Sequence, residues 1–281
     1  MKIIIDSGST KTELVIISED GKNKQILTKG LNPYFISEPE IIDLIKSEIS
    51  SEINFDIKNE VYFYGSGCSN TKNIEIIRNS FSIICDPNHI YIETDILGAA
   101  RALFGNKSGI ACILGTGSNT CLYDGIKIVD SQFSTGYIFG DEGSGSHLGK
   151  SFINLYLNNK MPSEIIEKFD KKYNLTKEDI LNAVYKKPYP NRFLANFCIF
   201  LKENIHEEFI EMLIIKCFIE FFENSILEFK EPKDYNIGFI GSIGYEFKDQ
   251  LIKTSNLFEL KIGEIIKSPI DNLERYHSMQ K

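Results

Sequence analysis

The 281-residue sequence predicts an α/β chain made of two related halves. Three observations point there. Short apolar strands alternate with segments of helical spacing along most of the chain. A strand, a polar Gly/Ser/Thr turn and a second strand open the sequence, and the same pattern returns after Gly109. The length is enough for two units with real cores.

The elements follow in order. Ile3 to Ile5 is a strand, DSGSTKT a turn, and Leu14 to Ile17 a second strand. A Glu-Asp-Gly turn at 19–21 and an extended run from Gln25 to Thr28 complete a meander. Residues 38–52 carry Ile41, Leu44, Ile45 and Ile49 at helical spacing, opened by Ser37 with Glu40 three places on. VYFYGSG (61–67) is a strand ending in glycine. Then come a helix near 70–82, a strand near 89–92 and a helix near 96–104. The segment from Phe104 to Gly109 has linker character.

IACIL (110–114), GTGSNT (115–120), CLY, the turn DG (124–125) and KIVDS (127–131) repeat the opening meander, roughly 105–110 residues later. Residues 141–229 read as mostly helical. Phe197 to Phe229 lacks Pro and Gly and is apolar on nearly all faces, as in a helix or helix pair buried on more than one side. YNIGFIGSIG (235–244) returns to strand and glycine turn. A helix near 245–254, a strand near 257–262 and a last helix near 269–279 close the chain. The expected division is 1–105 with the terminal helix 266–281, and 106–265. Pro269 suits a helix start, and Ile270, Leu273 and Tyr276 give one apolar face. That face is expected to cover the first sheet, which has only two or three helices of its own.

Composition narrows the function. The net charge of -8 argues against nucleic acid as the main partner, because phosphate neutralisation needs clustered Lys and Arg. The apolar runs are too short to span a membrane. In MKIIID, Asp6 interrupts the first run too early for a signal-peptide core, so a cytoplasmic location is expected. The six cysteines form no CxxC pair and no zinc spacing, which reads as buried free thiols.

Five motifs carry candidate chemistry. In Asp6-Ser-Gly-Ser-Thr-Lys-Thr12, Gly8 allows a tight turn, while Ser9, Thr10 and Thr12 add hydroxyls. Asp6 ends a strand, placed to hold a hydrated Mg²⁺. Alone, this motif reads first as a polar hairpin with an Asx turn. Gly115-Thr-Gly-Ser-Asn-Thr120 sits at the matching place in the second half, and the pair together shifts the reading toward phosphate binding. Gly238-Phe-Ile-Gly-Ser-Ile-Gly244 has the spacing G-x-x-G-x-x-G, not the dinucleotide fingerprint, and suits close approach to an adenine and ribose. Gly136-Tyr-Ile-Phe-Gly-Asp-Glu-Gly-Ser-Gly145 holds Asp141 and Glu142 among more glycines than a helix cap needs, as a sugar site would. Glu93-Thr-Asp95 ends a strand, and Asp95 there reads either as a helix cap or as a reactive carboxylate.

In that order, DSGSTKT, GTGSNT and GFIGSIG resemble the two phosphate loops and the adenosine loop of the actin, hexokinase and Hsp70 superfamily. The Glu93-Thr-Asp95 turn followed by GYIFGDEGSG narrows the resemblance to the N-acetylglucosamine kinases and the related benzoyl-CoA-reductase-type ATPases. It covers nearly the whole chain. It implies two RNase H-like lobes of the actin-like ATPase fold with a cleft between them, and phosphoryl transfer from ATP, with Mg²⁺, to an amino sugar. N-acetylglucosamine, glucosamine and N-acetylmuramic acid are all candidates.

The resemblance also implies roles. Asp6, Gly8, Ser9, Thr10 and Thr12 match the first phosphate loop, with Asp6 toward the metal. Gly115, Thr116, Gly117 and Ser118 match the second. Gly241 and Ser242 match the adenosine loop, and Asp95 the base that takes the sugar hydroxyl proton. Asn32, Asn119, Asp141 and Glu142 match the sugar site. Human-type N-acetylglucosamine kinases carry Trp near the sugar; this chain has none, and Tyr34 and Tyr137 occupy comparable stretches. Two other classes share the loops: an ATPase activator of a radical dehydratase or reductase, which bridges an iron–sulfur cluster between subunits, and a non-catalytic sugar sensor. A homodimer stays open as the assembly.

Overall fold

The computed structural model describes residues 1–18, 23–49, 56–132 and 134–279. The turn expected at 19–21 lies outside the described residues, as do positions 50–52 of the first expected helix. The chain forms two compact units, Met1–Asn106 with Pro269–Lys281, and Lys107–Ser268.

Unit 1 holds a five-stranded sheet of β1 (Lys2–Ser7), β2 (Lys11–Ile17), β3 (Lys24–Lys29), β4 (Glu60–Gly65) and β5 (Ile90–Thr94). Its order is β3-β2-β1-β4-β5. The meander β1–β2–β3 is antiparallel, whereas β4 and β5 run parallel to β1. β1 is a run of β-branched isoleucines, Ile3 to Ile5, buried on both faces as a central strand requires. On one face Ile3, Ile5, Val61 and Phe63 pack with Ile41, Leu44, Ile77 and Phe81 of α1 (Glu38–Leu44) and α2 (Thr71–Phe81). Ser37 and Glu40 close the expected capping box on α1, and a π-helical turn, Ile45–Ile49, extends it. The other face is covered by α3 (Asp95–Phe104).

Unit 2 repeats this topology. Its sheet is β6 (Gly109–Leu114), β7 (Ser118–Tyr123), β8 (Ile128–Ser131), β9 (Ile237–Ile240) and β10 (Ile262–Ile266), in the order β10-β9-β6-β7-β8. The helical stretch resolves into α4 (Gly136–Phe139), α5 (Gly145–Leu157), α6 (Ser163–Tyr173), α7 (Lys177–Tyr185), α8 (Pro190–Ala195), α9 (Cys198–Glu203) and α10 (Glu208–Phe221). Of the helix or helix pair expected over 197–229, the structure shows a pair, α9 and α10, parted between Glu203 and Glu208. Beyond α10 the stretch ends in a π-helical turn at Phe222–Ile226. Its buried phenylalanines, including Phe200, Phe218, Phe221 and Phe222, form the centre of this core with Phe152 and Phe169.

After β9 the chain makes α11 (Ser242–Glu246) and α12 (Lys248–Leu257). The strand expected near 257–262 instead begins at Ile262. The helix runs on to Leu257, and Glu259 turns the chain with a φ of 56°. The last helix, α13 (Ile270–Met279), packs within unit 1 on α3, β1 and β2, with Leu273 fully buried. Lys2 Nζ donates to the His277 carbonyl, and Asn272 Nδ2 to that of Ala102.

Candidate active site

In unit 1 the candidate residues gather at the carboxyl ends of β1, β4 and β5, the edge where parallel strands present ligand sites. The first hairpin is closed by Gly8 N–H donating to the Lys11 carbonyl at 3.0 Å. Ser7 Oγ and Thr12 Oγ1 meet across it at 2.8 Å, and both accept from the Leu31 N–H, at 2.9 and 3.2 Å. Thr12, expected among the phosphate contacts, is 0% exposed with its hydroxyl shared in this way. It props the hairpin from below, and Ser9 and Thr10 are left at the open tip.

Gly30 lies directly under the turn: a Cβ there would stand 2.4 Å from the Gly8 carbonyl oxygen. Asn32 is 5% exposed and bridges two segments. Its Nδ2 donates to Ser9 Oγ at 2.8 Å, and its Oδ1 accepts the Tyr34 N–H at 3.0 Å. One N–H and one lone pair of that amide are left beyond these bonds.

Asp95 opens α3 straight after β5. Its Oδ1 accepts the Ile96 N–H at 2.9 Å, and its Oδ2 accepts the Ser66 hydroxyl proton at 2.6 Å. Ser66 is itself fixed by its N–H to the Ser7 carbonyl, at 2.9 Å, so the carboxylate is tied to the strand that bears Asp6. Burial raises the Asp95 pKa against the lowering effect of those hydrogen bonds. Burial, then the charges of Asp95 and Glu13, push Asp6 up to about 7, with Lys11 opposing.

The burial of Asp6, with the carboxylates near it, has a measurable consequence. The Asp6 pKa rises on folding from its usual 3.8 to about 7. The folded chain therefore binds the proton more tightly, and its stabilising effect is complete below the lower value and lost as pH climbs through the upper one. The ligand-free protein is expected to lose about 1–3 kcal/mol between pH 5 and pH 7.5, with Asp6→Asn flattening the trend. Denaturant titrations across that range check it, and a wild-type curve already flat contradicts it.

In unit 2 three loops converge. The hairpin Gly115–Ser118 is closed by Gly115 N–H on the Gly117 carbonyl, at 2.9 Å. The carbonyls of Gly115 and Thr116 accept the N–H groups of Gly145 and Ser146, at 2.8 and 3.0 Å, so the hairpin rests on the first turn of α5. Asp141, with a φ of 57°, turns its carboxylate under the same hairpin. Its Oδ1 accepts the Ser118 N–H at 3.1 Å, and Gly117 leaves room for it. Burial raises the Asp141 pKa, the Ser118 bond lowers it and Glu142 raises it. Asp141 thus braces the second hairpin, whatever it contacts besides; Glu142, next in the chain, stays part-exposed. Asn119 stands one residue into β7, its Oδ1 accepting the Thr120 N–H at 2.9 Å.

The third loop begins at Gly241, whose φ of 120° favours glycine and where a Cβ would lie 2.3 Å from the Leu114 carbonyl oxygen. Ser242 is exposed at the start of α11. His147 adds a support that the motifs did not single out. Its Nδ1 accepts the Gly143 N–H at 3.1 Å, and its Nε2 faces Glu220 at 3.2 Å. Burial first, then Lys150, lowers it to about 4, so it is neutral and holds the Asp141–Gly143 turn by hydrogen bonding. Among the described residues no group of three or more His, Cys, Asp or Glu side chains could hold a metal ion by itself.

No protein-family model matches the chain, and no curated protein matches it significantly. Solved structures do. A Porphyromonas gingivalis protein, provisionally named an N-acetylglucosamine kinase, is 37% identical, with 100% of this chain and 99% of that one covered and a TM-score of 0.91. A Chromobacterium violaceum protein with the same provisional name is 15% identical over 98% of each chain, with a TM-score of 0.77. A ROK family glucokinase from Streptomyces griseus, solved with glucose and AMPPNP, is 11% identical over 95% of this chain and 93% of that one, with a TM-score of 0.50.

Two sheets of one repeated topology, each with a Gly/Ser/Thr hairpin between its first two strands, show the actin-like ATPase fold, and the 37% identical relative places the protein among the carbohydrate kinases of that fold. Identity of 37% over the full length settles the branch: the chain belongs to the N-acetylglucosamine kinase-like family.

Proposed function

We propose that the protein transfers the γ-phosphate of ATP to a hydroxyl of an amino sugar, with N-acetylglucosamine the first candidate. The observation that carries the reading is Asp95. It is a carboxylate with a raised pKa, held on both oxygens by Ser66 and the Ile96 N–H, and tied through Ser66 to the strand that bears Asp6. A raised carboxylate is a better proton acceptor, and one held on both oxygens is already oriented.

In this reading Asp95 receives the proton of the attacking hydroxyl as the oxygen closes on phosphorus. Gly8, Ser9 and Thr10, and Gly115, Thr116, Gly117 and Ser118, hold phosphate oxygens. Gly241 and Ser242 lie against the adenosine. Asn32, Asn119, Asp141 and Glu142 orient the sugar, the first and third through whatever capacity their support bonds leave. Asp6 fits Mg²⁺ as a hard oxygen ligand: burial first, then the charges of Asp95 and Glu13, raise its pKa, and a cation would offset that excess of negative charge. Bound there, Mg²⁺ would offset charge on the phosphates. All six cysteines are buried, whereas a cluster bridging two subunits needs thiolates at a surface, so the activator reading is not adopted. Buried free thiols fit a reducing cytoplasm.

A coupled ADP-release assay over a panel of amino sugars tests the proposal. N-acetylglucosamine is expected to raise turnover well above the acceptor-free rate; if no amino sugar does, the kinase reading fails. Ser66 supplies a finer test. Ser66→Ala is expected to lower kcat about tenfold, as loss of one hydrogen bond to a charged group does, with the KM for ATP unchanged. Because the Ser66 bond lowers the Asp95 pKa, its loss should move the acid limb of the kcat profile to higher pH. Ser66→Thr should restore both. Equal losses in Ala and Thr would mean that Ser66 only shapes the turn.

A further inference from the structure

On the α3 and α13 face of the unit 1 sheet, a chain of hydrogen bonds leaves two donors unmatched. Arg101 Nη1 donates to the Tyr64 hydroxyl oxygen at 2.9 Å, and the same hydroxyl lies 2.8 Å from His277 Nε2. An Arg can only donate, so the Tyr64 proton is free to go to His277 Nε2. His277 is 2% exposed; burial, with Arg101 and Lys2 close by, lowers it to about 4, so its ring is neutral. A neutral ring that accepts at Nε2 carries its proton on Nδ1. That Nδ1 is buried and finds no partner among the described residues, and Arg101 Nε is in the same position. Buried donors without acceptors are rare in folded chains and need an explanation.

Both residues line one concavity of about 190 Å³, whose other walls include the rings of Tyr62, Tyr91 and Tyr276. Tyr62 and Tyr91 stack at 4.9 Å between centroids, 15° from parallel, and make a flat wall. The concavity shares Arg101 and Tyr276 with a second, of about 310 Å³, that Arg275 and Asn106 also line. Two arginines and a neutral imidazole N–H call for an acceptor that bears charge. Glu93, on the same wall, limits that charge, so a triphosphate does not suit it.

We propose that this groove binds a small, singly charged oxyanion, a carboxylate or a phosphate ester, attached to a flat body that lies on the tyrosines. The oxygens would take up the Arg101 Nε–H and the His277 Nδ1–H after a small outward shift of these side chains, with Arg275 at the rim. The site is distinct from the Asp6 and Asp95 edge. Arg101 stands six residues along α3 from Asp95, about 9 Å by helical rise. It does not rest on the kinase reading.

The test reads the histidines of the full chain. With four in the sequence, ¹⁵N-labelled imidazoles can be assigned by substitution. Benzoate is expected to shift the His277 Nδ1 resonance saturably, and inorganic phosphate titrated against it shows whether phosphates compete. Competition extends the class to phosphate esters, and its absence confines it to carboxylates. Arg101→Lys, which keeps the charge but lacks Nε–H, should weaken binding about tenfold, and Arg275→Gln, on an exposed side chain, about threefold. No saturable shift from either probe up to about 50 mM overturns the proposal. So does a shift of equal affinity in the wild type and both variants, which would mark an adventitious additive only.

Discussion

Asp95→Asn should lower the rate of phosphoryl transfer by about 10²–10⁴, while nucleotide binding persists. Asn keeps the size of the side chain and an oxygen for the Ile96 N–H, so the start of α3 should hold. It loses the basic oxygen that would accept the sugar proton, and it places an NH₂ where Ser66 now donates. The amide and the hydroxyl can reorient to share one hydrogen bond, so the expected loss lies in kcat. Single-turnover transfer to the best amino sugar, beside calorimetric titration of ATP, separates the two effects. A kcat near that of the wild type would remove Asp95 from the role of base. A parallel loss of ATP affinity would instead make it a support of the Asp6 edge.

Gly30→Ala should have the second largest effect, and on a different quantity. The added carbon would sit 2.4 Å from the Gly8 carbonyl oxygen and 2.6 Å from the Ser9 carbonyl carbon. Both are backbone atoms of the first hairpin, so no side chain can swing aside. Either β3 or the hairpin must move, at about 2–4 kcal/mol of stability. Because the Leu31 N–H binds both Ser7 and Thr12, displacement of this segment also loosens the base of the hairpin. The KM for ATP should rise by an order of magnitude or more, with the amino-sugar dependence retained. A variant with wild-type melting and wild-type KM would show that the hairpin has slack which the close approach of Gly30 does not suggest.

Gly30 also shows where reading the sequence ran out. Both meanders, their glycine hairpins and the helix that follows β5 are legible because a period of two and a polar turn are local signals. Gly30 in Lys-Gly-Leu-Asn looks like any turn glycine, and its task comes from a contact with residues 8 and 9. Ser66 was hidden in the same way, inside the Gly65-Ser66-Gly67 run that ends β4. The repeat offered a clue to it, since β4 occupies the place that β9 holds in the second sheet, and β9 is followed by Gly241-Ser242. Thr12 is a case in the other direction. A hydroxyl in a Ser/Thr-rich loop suggests a ligand, but strand alternation turned this one inward to Ser7. The break after Glu203 and the late start of β10 have no Pro or Gly to announce them, and such boundaries follow from tertiary packing.

The place of α13 has a consequence for the order in which the protein is made. Unit 1 begins at the first residue, yet its sheet face with Tyr62 and Tyr64 is completed by residues 270–279. A ribosome delivers those residues only after the whole of unit 2 has emerged, so domains that fold as they appear would finish here in reverse. Through that interval the nascent unit 1 has α3 alone over β1 and β4, and the aromatic face awaits its second helix. A stalled or prematurely terminated chain would then hold a finished unit 2 and an open unit 1. That open face is what a chaperone or a quality-control protease would meet first.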